Sequence, residues 1–233
     1  NTTADDNTAV GAYALGAATT GDENTAVGSQ AGLAITTGVH NTAIGHEALE
    51  DATTTNNNVA VGYRALADTD ANGNVGVGYA AVTANTSGTG LVGIGNNALG
   101  ANTTADNNTA VGDSALDANT TGANNTSVGY SSLTSNTTGT LNTALGRSAL
   151  ATATTASSNT GLGYGALTAN TTGANNTSVG ESSLGANTEG HYNISIGKGS
   201  GDNITTGDGN IIIGTVDAAS ATGDRTLKIA GYD

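Results

Sequence analysis

One short motif recurs along this 233-residue chain, and its regular spacing limits the folds that the chain can adopt. The motif is Asn-Thr-Ala-Val-Gly or a close variant. Its glycine returns 13 times, at intervals of about 17 residues that shorten by one only once, a period typical of solenoids in which each repeat stacks on its neighbours. The motif glycines, each of which we expect at a tight bend, are Gly11, Gly28, Gly45, Gly62, Gly78, Gly95, Gly112, Gly129, Gly146, Gly163, Gly180, Gly197 and Gly214.

The residues that precede each motif glycine alternate in character, as in a β-strand. The residue three before is Thr, Val or Ile, the residue two before is small in every repeat but one (Ile212), and the residue just before is aliphatic. Alternate residues of a strand share a face, so the β-branched and aliphatic positions lie together, opposite the small residue and the glycine. The aliphatic positions, expected to stack as a structural ladder, are Val10, Val27, Ile44, Val61, Val77, Ile94, Val111, Val128, Leu145, Leu162, Val179, Ile196 and Ile213.

The rest of each repeat predicts a bend, a second short strand and a turn. An Ala-Leu pair follows the motif glycine in most copies, and a polar stretch such as residues 119–124 precedes the next motif. We expect the aliphatic ladder and the Leu ladder to form the core with an Ala. An Asn stands four residues before every motif glycine except one, and its stacked amides are expected to hydrogen-bond along the axis. Helix is disfavoured, because Gly, Asn and Thr are poor helix formers.

These patterns predict an all-β protein, a parallel β-solenoid of about 13 coils of 17 residues that covers residues 1–216. Residues 217–233 are interpreted as a capping or transition segment that leads to a further domain. Gly231 is in phase with the repeat, but Leu227-Lys228-Ile229-Ala230 carries its apolar residues one position out of step. A one-residue slip should send those side chains to the opposite face.

A coil of this composition has a thin core, which predicts that several chains share one. The large side chains of each repeat are few, and their burial is opposed by the conformational entropy of the whole repeat. We expect the small face, with its Ala, Ser and Gly, to allow the close approach of another chain.

The composition excludes several classes of protein. The chain has no Cys, which excludes disulfides and thiolate metal sites, and no apolar run long enough to insert in a membrane. Five Lys and Arg against 19 Asp and Glu leave a net charge of −14, which argues against nucleic acid as a partner. The sequence as given starts at Asn1 and shows no signal-peptide pattern, so we expect a processed product or a fragment.

No constellation of residues predicts catalysis, a metal site or a cofactor, and we expect that the chain is not an enzyme. His40, His46 and His191 lie apart, and a pairing of the first two on adjoining coils would lack a third ligand. Acidic residues cluster in the turns, where they could be calcium ligands or could simply keep the protein soluble. Their irregular placement favours solubility.

The position after the motif glycine varies from repeat to repeat, which is typical of a solvent-facing position. Four of the seven tyrosines stand there: Tyr63, Tyr79, Tyr130 and Tyr164. They either cover the neighbouring coils or make contacts with a ligand surface, for which Tyr is well suited.

The motif resembles that of known fibrous proteins. Asn-Thr-Ala-Val-Gly, Asn-Thr-Ser-Val-Gly (125–129 and 176–180) and Asn-Ile-Ser-Ile-Gly (193–197) are similar to the repeat of trimeric autotransporter adhesin heads. The longer form, which ends in Asn-Thr-Thr-Gly, resembles repeats of bacteriophage tail fibres and bacterial surface proteins. The resemblance covers residues 7–214. It implies a left-handed parallel β-roll in a homotrimer, displayed outside the cell or on a virion. The expected partners are other copies of the chain, which could also join end to end, and an unidentified cell-surface or glycan receptor.

The expected function is therefore that of a structural and adhesive fibre segment, a rigid rod that makes multivalent surface contacts. Two alternatives remain open. An ice-binding solenoid is suggested by the eight Thr residues at one strand position, although Val or Ile replaces Thr in five copies. A matrix filament whose only role is self-assembly is the other.

Overall fold

A computed structural model describes residues 3–230 of the chain and confirms the β-solenoid. Each repeat is one coil with a short strand, successive strands pair in parallel, and no helix occurs within residues 3–230. The chain divides into two compact units, residues 1–121 and 122–233. The left-handed sense of the coil and the homotrimer stay predictions.

The first unit contains seven strands, each paired in parallel with the next. Equivalent repeat positions face one another, so that Thr25 lies opposite Thr42 and Val27 opposite Ile44. The strands are β1 (Thr8–Val10), β2 (Thr25–Val27), β3 (Thr42–Ile44), β4 (Val59–Val61), β5 (Val75–Val77), β6 (Val92–Ile94) and β7 (Thr109–Val111).

The second unit repeats this arrangement with seven more strands, again parallel and paired in chain order. The strands are β8 (Thr126–Val128), β9 (Thr143–Leu145), β10 (Thr160–Leu162), β11 (Thr177–Val179), β12 (Ile194–Ile196), β13 (Ile211–Gly214) and β14 (Leu227–Ala230).

The second strand expected in each coil does not form. The Ala-Leu pair lies in turn conformation, and its leucine has positive φ, for example 54° at Leu49 and 52° at Leu116. A left-handed residue cannot continue a strand, and in a non-glycine residue it costs about 1–2 kcal/mol. We call the turn that contains the Ala-Leu pair the curl. The cost is offset because the curl directs the leucine side chain into the coil, where it is fully buried.

The prediction that the aliphatic face of each strand lies in the core is wrong. The small residue points inward, as Ala26 and Ala43 show with exposures of 0% and 1%, while the aliphatic and β-branched residues point outward. The interior is filled by the leucine of the curl. At Gly76 a Cβ atom would already lie 3.0 Å from Leu66 Cγ, so only a small residue fits there in the usual coil. The core is therefore mainly Leu and Ala, with Ile or Val in a few coils, and it does not include the aliphatic ladder.

The motif glycine lets the coils stack at close range. Gly28 has a φ of 138°, a conformation that favours glycine, and a Cβ there would lie 2.4 Å from the carbonyl oxygen of Gly45 in the next coil. No side chain fits in that space.

The asparagine before each strand forms the expected ladder. Asn159 is buried, donates from Nδ2 to Asn142 Oδ1 (3.2 Å) and to the Gly173 carbonyl (2.9 Å), and accepts at Oδ1 from the backbone N–H of Asn176 (2.9 Å). One amide thus joins three successive coils.

A second buried asparagine ladder, which the sequence analysis missed, stands seven residues after the motif glycine. Asn187 Nδ2 donates to Asn170 Oδ1 at 2.8 Å, and Asn119 Nδ2 donates in the same way to Asn102 Oδ1 at 2.9 Å. All four side chains are buried. In the coils that carry this asparagine, the polar turn is therefore anchored inside the stack.

The expectation that the side chains of Leu227 and Ile229 point to the opposite face is wrong. This coil is one residue shorter than the usual repeat, so Leu227 pairs with Ile211 and stays in register with the strands before it. Ala230, and not Gly231, stands opposite Gly214. Gly231 lies outside the described residues, and the capping role of residues 217–233 stays a prediction.

Candidate functional site

The outer face of the strands presents two ladders of side chains, one on each side of the buried small residue. The ladder just before the motif glycine is aliphatic and about two-fifths exposed, as at Ile44 and Ile94 in the first unit and Leu162 in the second. The ladder three residues before the glycine is Thr, Val or Ile, with Val59 and Ile194 exposed to nearly the same degree. Each unit therefore carries an apolar and Thr-bearing stripe that no other part of that unit covers.

The ladder after the motif glycine is exposed, as expected, and its neighbours are chemically matched. All four tyrosines predicted as contact residues are between 41% and 57% exposed. In the first unit His46 stacks on Tyr63 (5.7 Å between ring centres) and Tyr63 stacks on Tyr79 (5.2 Å). The rings therefore cover one another across neighbouring coils, and each tyrosine also keeps an exposed part that a ligand surface could contact.

In the second unit the same ladder alternates aromatic and charged groups. The guanidinium of Arg147 lies 5.5 Å from the ring centre of Tyr130 and 5.8 Å from that of Tyr164, within the range of cation–π attraction. Further along, Lys198 forms an ion pair with Glu181 at 3.1 Å. These contacts hold the long side chains in place on the surface.

Four of the acidic turn residues, Asp22, Asp106, Asp208 and Asp224, have a structural role that the sequence analysis missed. They stand two residues before the ladder asparagine or its counterpart, and a side-chain oxygen there accepts the backbone N–H of the equivalent residue one coil earlier. Asp106 accepts from Thr89 at 2.7 Å, and Asp22 accepts from Asp5 at 2.7 Å. Ser157 serves in the same way. The signal in the sequence was the short acceptor side chain at a fixed distance before the ladder asparagine.

The histidines occupy three different environments and do not converge. His40 Nε2 lies 2.7 Å from Glu23, His46 Nδ1 lies 3.3 Å from Glu47, and His191 Nδ1 accepts the backbone N–H of Ala174 at 2.9 Å. Within residues 3–230 no three His, Asp or Glu side chains gather as a metal site would require.

Three carboxyl groups have a pKa above the ordinary value. Partial burial raises the pKa of Asp117, with the charge of Asp113 adding to the effect. Burial also raises the pKa of Asp202, which shares a hydrogen bond with the carboxyl group of Asp217. The pKa of Glu50 is raised by burial and by its acidic neighbours. None of the three lies in the outer ladders of the strands.

The chain was compared with protein-family models, with curated proteins and with solved structures, and none of them matches it. Among the described residues there is no helix of the length and apolar character that a membrane crossing requires.

Proposed function

We propose that this chain is a segment of a structural and adhesive fibre, displayed outside the cell or on a virion, in which identical chains associate through the outer face of their strands. The observation that carries the proposal is the uncovered aliphatic ladder, which is 40% exposed at Ile44 and Ile94 and 41% exposed at Ile196. Exposed apolar patches that continue over many residues are typical of protein interfaces. A homotrimer, as the resemblance to adhesin heads implies, is the proposed assembly.

Other copies of the chain are the partners that best fit this stripe, because every copy carries the same uncharged stripe with the same period. Every repeat offers an aliphatic side chain just before the motif glycine and a β-branched side chain three residues before it. Neighbouring chains can therefore match coil by coil. These side chains are short and carry no charge, which allows sheet faces to approach and to exclude water.

The ladder after the motif glycine supplies the adhesive part of the proposal. Tyr63, Tyr79, Tyr130 and Tyr164 are exposed and held by their neighbours, so each loses little conformational freedom on contact with a surface. Weak contacts repeated on several chains gain strength through avidity.

Light scattering after size-exclusion chromatography tests the association. We expect the wild type to have three times the monomer mass, and the double variant Ile44→Lys, Ile94→Lys to be monomeric with an unchanged circular dichroism spectrum. Both side chains point outward, so the core is untouched. A matched control, Thr20→Lys, places a lysine on an exposed turn and should keep the mass of the wild type. A wild type that is a monodisperse monomer contradicts the proposal.

Ice binding is a second candidate, favoured by one observation. Thr126, Thr143, Thr160 and Thr177 stand in register on four successive strands of the second unit and point outward. A regular row of hydroxyl and methyl groups could order water. Measurable thermal hysteresis that is lost in Thr143→Lys, Thr160→Lys supports this function, and its absence at millimolar protein excludes it.

A further inference from the structure

A hollow lies on the turns of the second unit, away from the outer face of the strands. It has a volume of about 420 Å³ and is lined by Tyr192, Asp208, Gly209, Asp224 and Arg225. These residues belong to three successive coils, at the two positions that precede the ladder asparagine or its counterpart. The hollow serves neither the core nor the aliphatic ladder.

A missing side chain creates the hollow. The position of Gly209 is Asn in other coils, for instance at Asn107 and Asn175, but here it is glycine with a φ of 68°. The exposed ring of Tyr192 stands one coil earlier, and the stem of Arg225 stands one coil later, with its Cγ 3.6 Å from the place of a Gly209 Cβ. The two flanking residues are thus about 10 Å apart along the stack, as two coil spacings require.

The backbone that carries these residues is fixed. The N–H of Tyr192, Gly209 and Arg225 each donates to a carbonyl of the preceding coil, at 3.1, 2.8 and 2.8 Å. Asp208 and Asp224 each use one carboxylate oxygen to accept a backbone N–H, at 2.7 and 2.8 Å. The hollow is therefore formed in advance, and binding need not order it.

The remaining polar groups are free to meet a ligand. The second oxygen of each aspartate is an acceptor that the backbone does not use, and no carboxylate of the described residues lies within ion-pair distance of Arg225. The lining of the hollow thus includes one aromatic ring, two carboxylates that can accept hydrogen bonds and one planar guanidinium that can donate them.

We propose that this hollow binds a neutral hexopyranose ring, as a free sugar or as a terminal unit of a glycan. The apolar face of such a ring can stack on Tyr192, and its hydroxyl groups can donate to Asp208 and Asp224 and accept from Arg225. An anion is disfavoured by the two carboxylates and by the net charge of −14, and a cation is disfavoured by the guanidinium. A ligand with both donors and acceptors and no charge suits the site.

The probes for the test are methyl glycosides of glucose, galactose, mannose and N-acetylglucosamine, measured by saturation-transfer NMR and by titration. We expect at least one glycoside to bind with a Kd of about 1–10 mM, which is usual for one shallow site. Tyr192→Ala should weaken binding at least tenfold. Gly209→Asn should also weaken binding at least tenfold, because the new side chain fills the hollow. The variant should fold normally, since Asn107 and Asn175 have the same backbone conformation at this repeat position.

The matched control is Gly73→Asn, which makes the same change at the same repeat position in the first unit, where a Cβ would meet nothing within 4 Å. It should bind the sugar as the wild type does. Equal binding by wild type, Tyr192→Ala and Gly209→Asn overturns the proposal, as does the failure of all four glycosides to bind. Tighter binding of tetramethylammonium than of any sugar also overturns it. Light scattering of the same variants keeps this result separate from the proposed association, because none of the substitutions lies on the outer face of the strands.

Discussion

At the scale of single residues, the asparagine four before each motif glycine does most to hold the coils together. Its amide satisfies backbone groups that the narrow coil would otherwise bury without partners. An unpaired buried donor or acceptor costs about 1–3 kcal/mol. The repeat therefore tolerates many residues on its surface but keeps this one in every described coil except those with Leu91 and Thr226.

Replacing one ladder asparagine should destabilise the protein sharply. Asn159→Ala leaves the Asn176 N–H without its partner and removes one of the two donors to the Gly173 carbonyl, which keeps only Asn170. We therefore expect a loss of about 1–3 kcal/mol in the free energy of unfolding. Urea unfolding followed by circular dichroism measures it. Thr172→Ala, on an exposed turn of the next coil, is the control and should change stability by about 0.5 kcal/mol or less. Equal losses in the two variants would contradict the structural role of the ladder.

The carboxyl group of Asp117 should make stability depend on pH. Burial raises its pKa in the folded protein above the ordinary value near 3.8, so the folded state binds the proton more tightly than the unfolded state. The charged form therefore destabilises the fold, fully above the folded-state pKa and not at all below about pH 3.8.

Asp117→Asn should consequently raise the free energy of unfolding at pH 7, and this gain should shrink as the pH falls through the folded-state pKa. Urea titrations at pH 7, 5 and 3 measure the difference. Asp6→Asn, at an exposed bend of the same unit, is the control. A gain that persists unchanged at pH 3 would show that the effect does not come from the charge.

At the scale of the coil, two positions of the repeat fill the core in a complementary way. Where the curl carries Leu, the residue three further on is small or polar, as in Leu49 with Ala52. Where the curl carries Gly, that residue is Ile, as in Gly32 with Ile35. A Cβ at Gly32 would lie 3.0 Å from Ile35 Cδ1, so the isoleucine occupies the space that leucine fills elsewhere. The two positions act as one packing unit.

This pairing predicts a strong coupling between two substitutions. Ile35→Ala should leave a cavity and cost about 2–5 kcal/mol, and Gly32→Leu should overpack the coil and cost about 1–3 kcal/mol. The double variant copies the neighbouring coil with Leu49 and Ala52, so we expect it to recover most of the loss. Thermal unfolding of the four proteins in a double-mutant cycle measures the coupling. Additive losses would mean that the two side chains do not share one space.

At the scale of the whole molecule, stability should be nearly a sum over coils and their contacts, because each coil bonds to its neighbours in sequence. Loss of one complete coil should then leave the others intact, whereas loss of part of a coil should not.

Deletion of residues 143–159 tests this expectation within the second unit. It joins Asn142 to Thr160, which recreates the junction of Asn159 with Thr160. We expect the circular dichroism signal per residue to be unchanged and the melting temperature to fall by a few degrees. Deletion of residues 143–150 breaks the period and should abolish cooperative unfolding. Comparable behaviour of the two deletions would refute independent coils.

The sequence alone determined the period, the strand in each repeat, the parallel register and the asparagine ladder. These features follow from local residue types at a fixed spacing that recur in nearly all of the 13 copies. The exposed position of Tyr63 and its counterparts could be predicted in the same way, since variability within a strict repeat indicates solvent.

Only the tertiary structure decided which strand face is enclosed. Alternation shows that Thr25 and Val27 share a face, but it does not say whether that face is inside. Which face is enclosed depends on the leucines of the curl, such as Leu49. Their positive φ could not be predicted, because leucine rarely adopts this conformation. Once they fill the interior, only a small residue fits beside them, and the aliphatic ladder must face outward. The proposed sugar site likewise needed the stacking of three coils, because its walls, Tyr192 and Arg225, are separated in the chain by a whole coil and meet only across the stack.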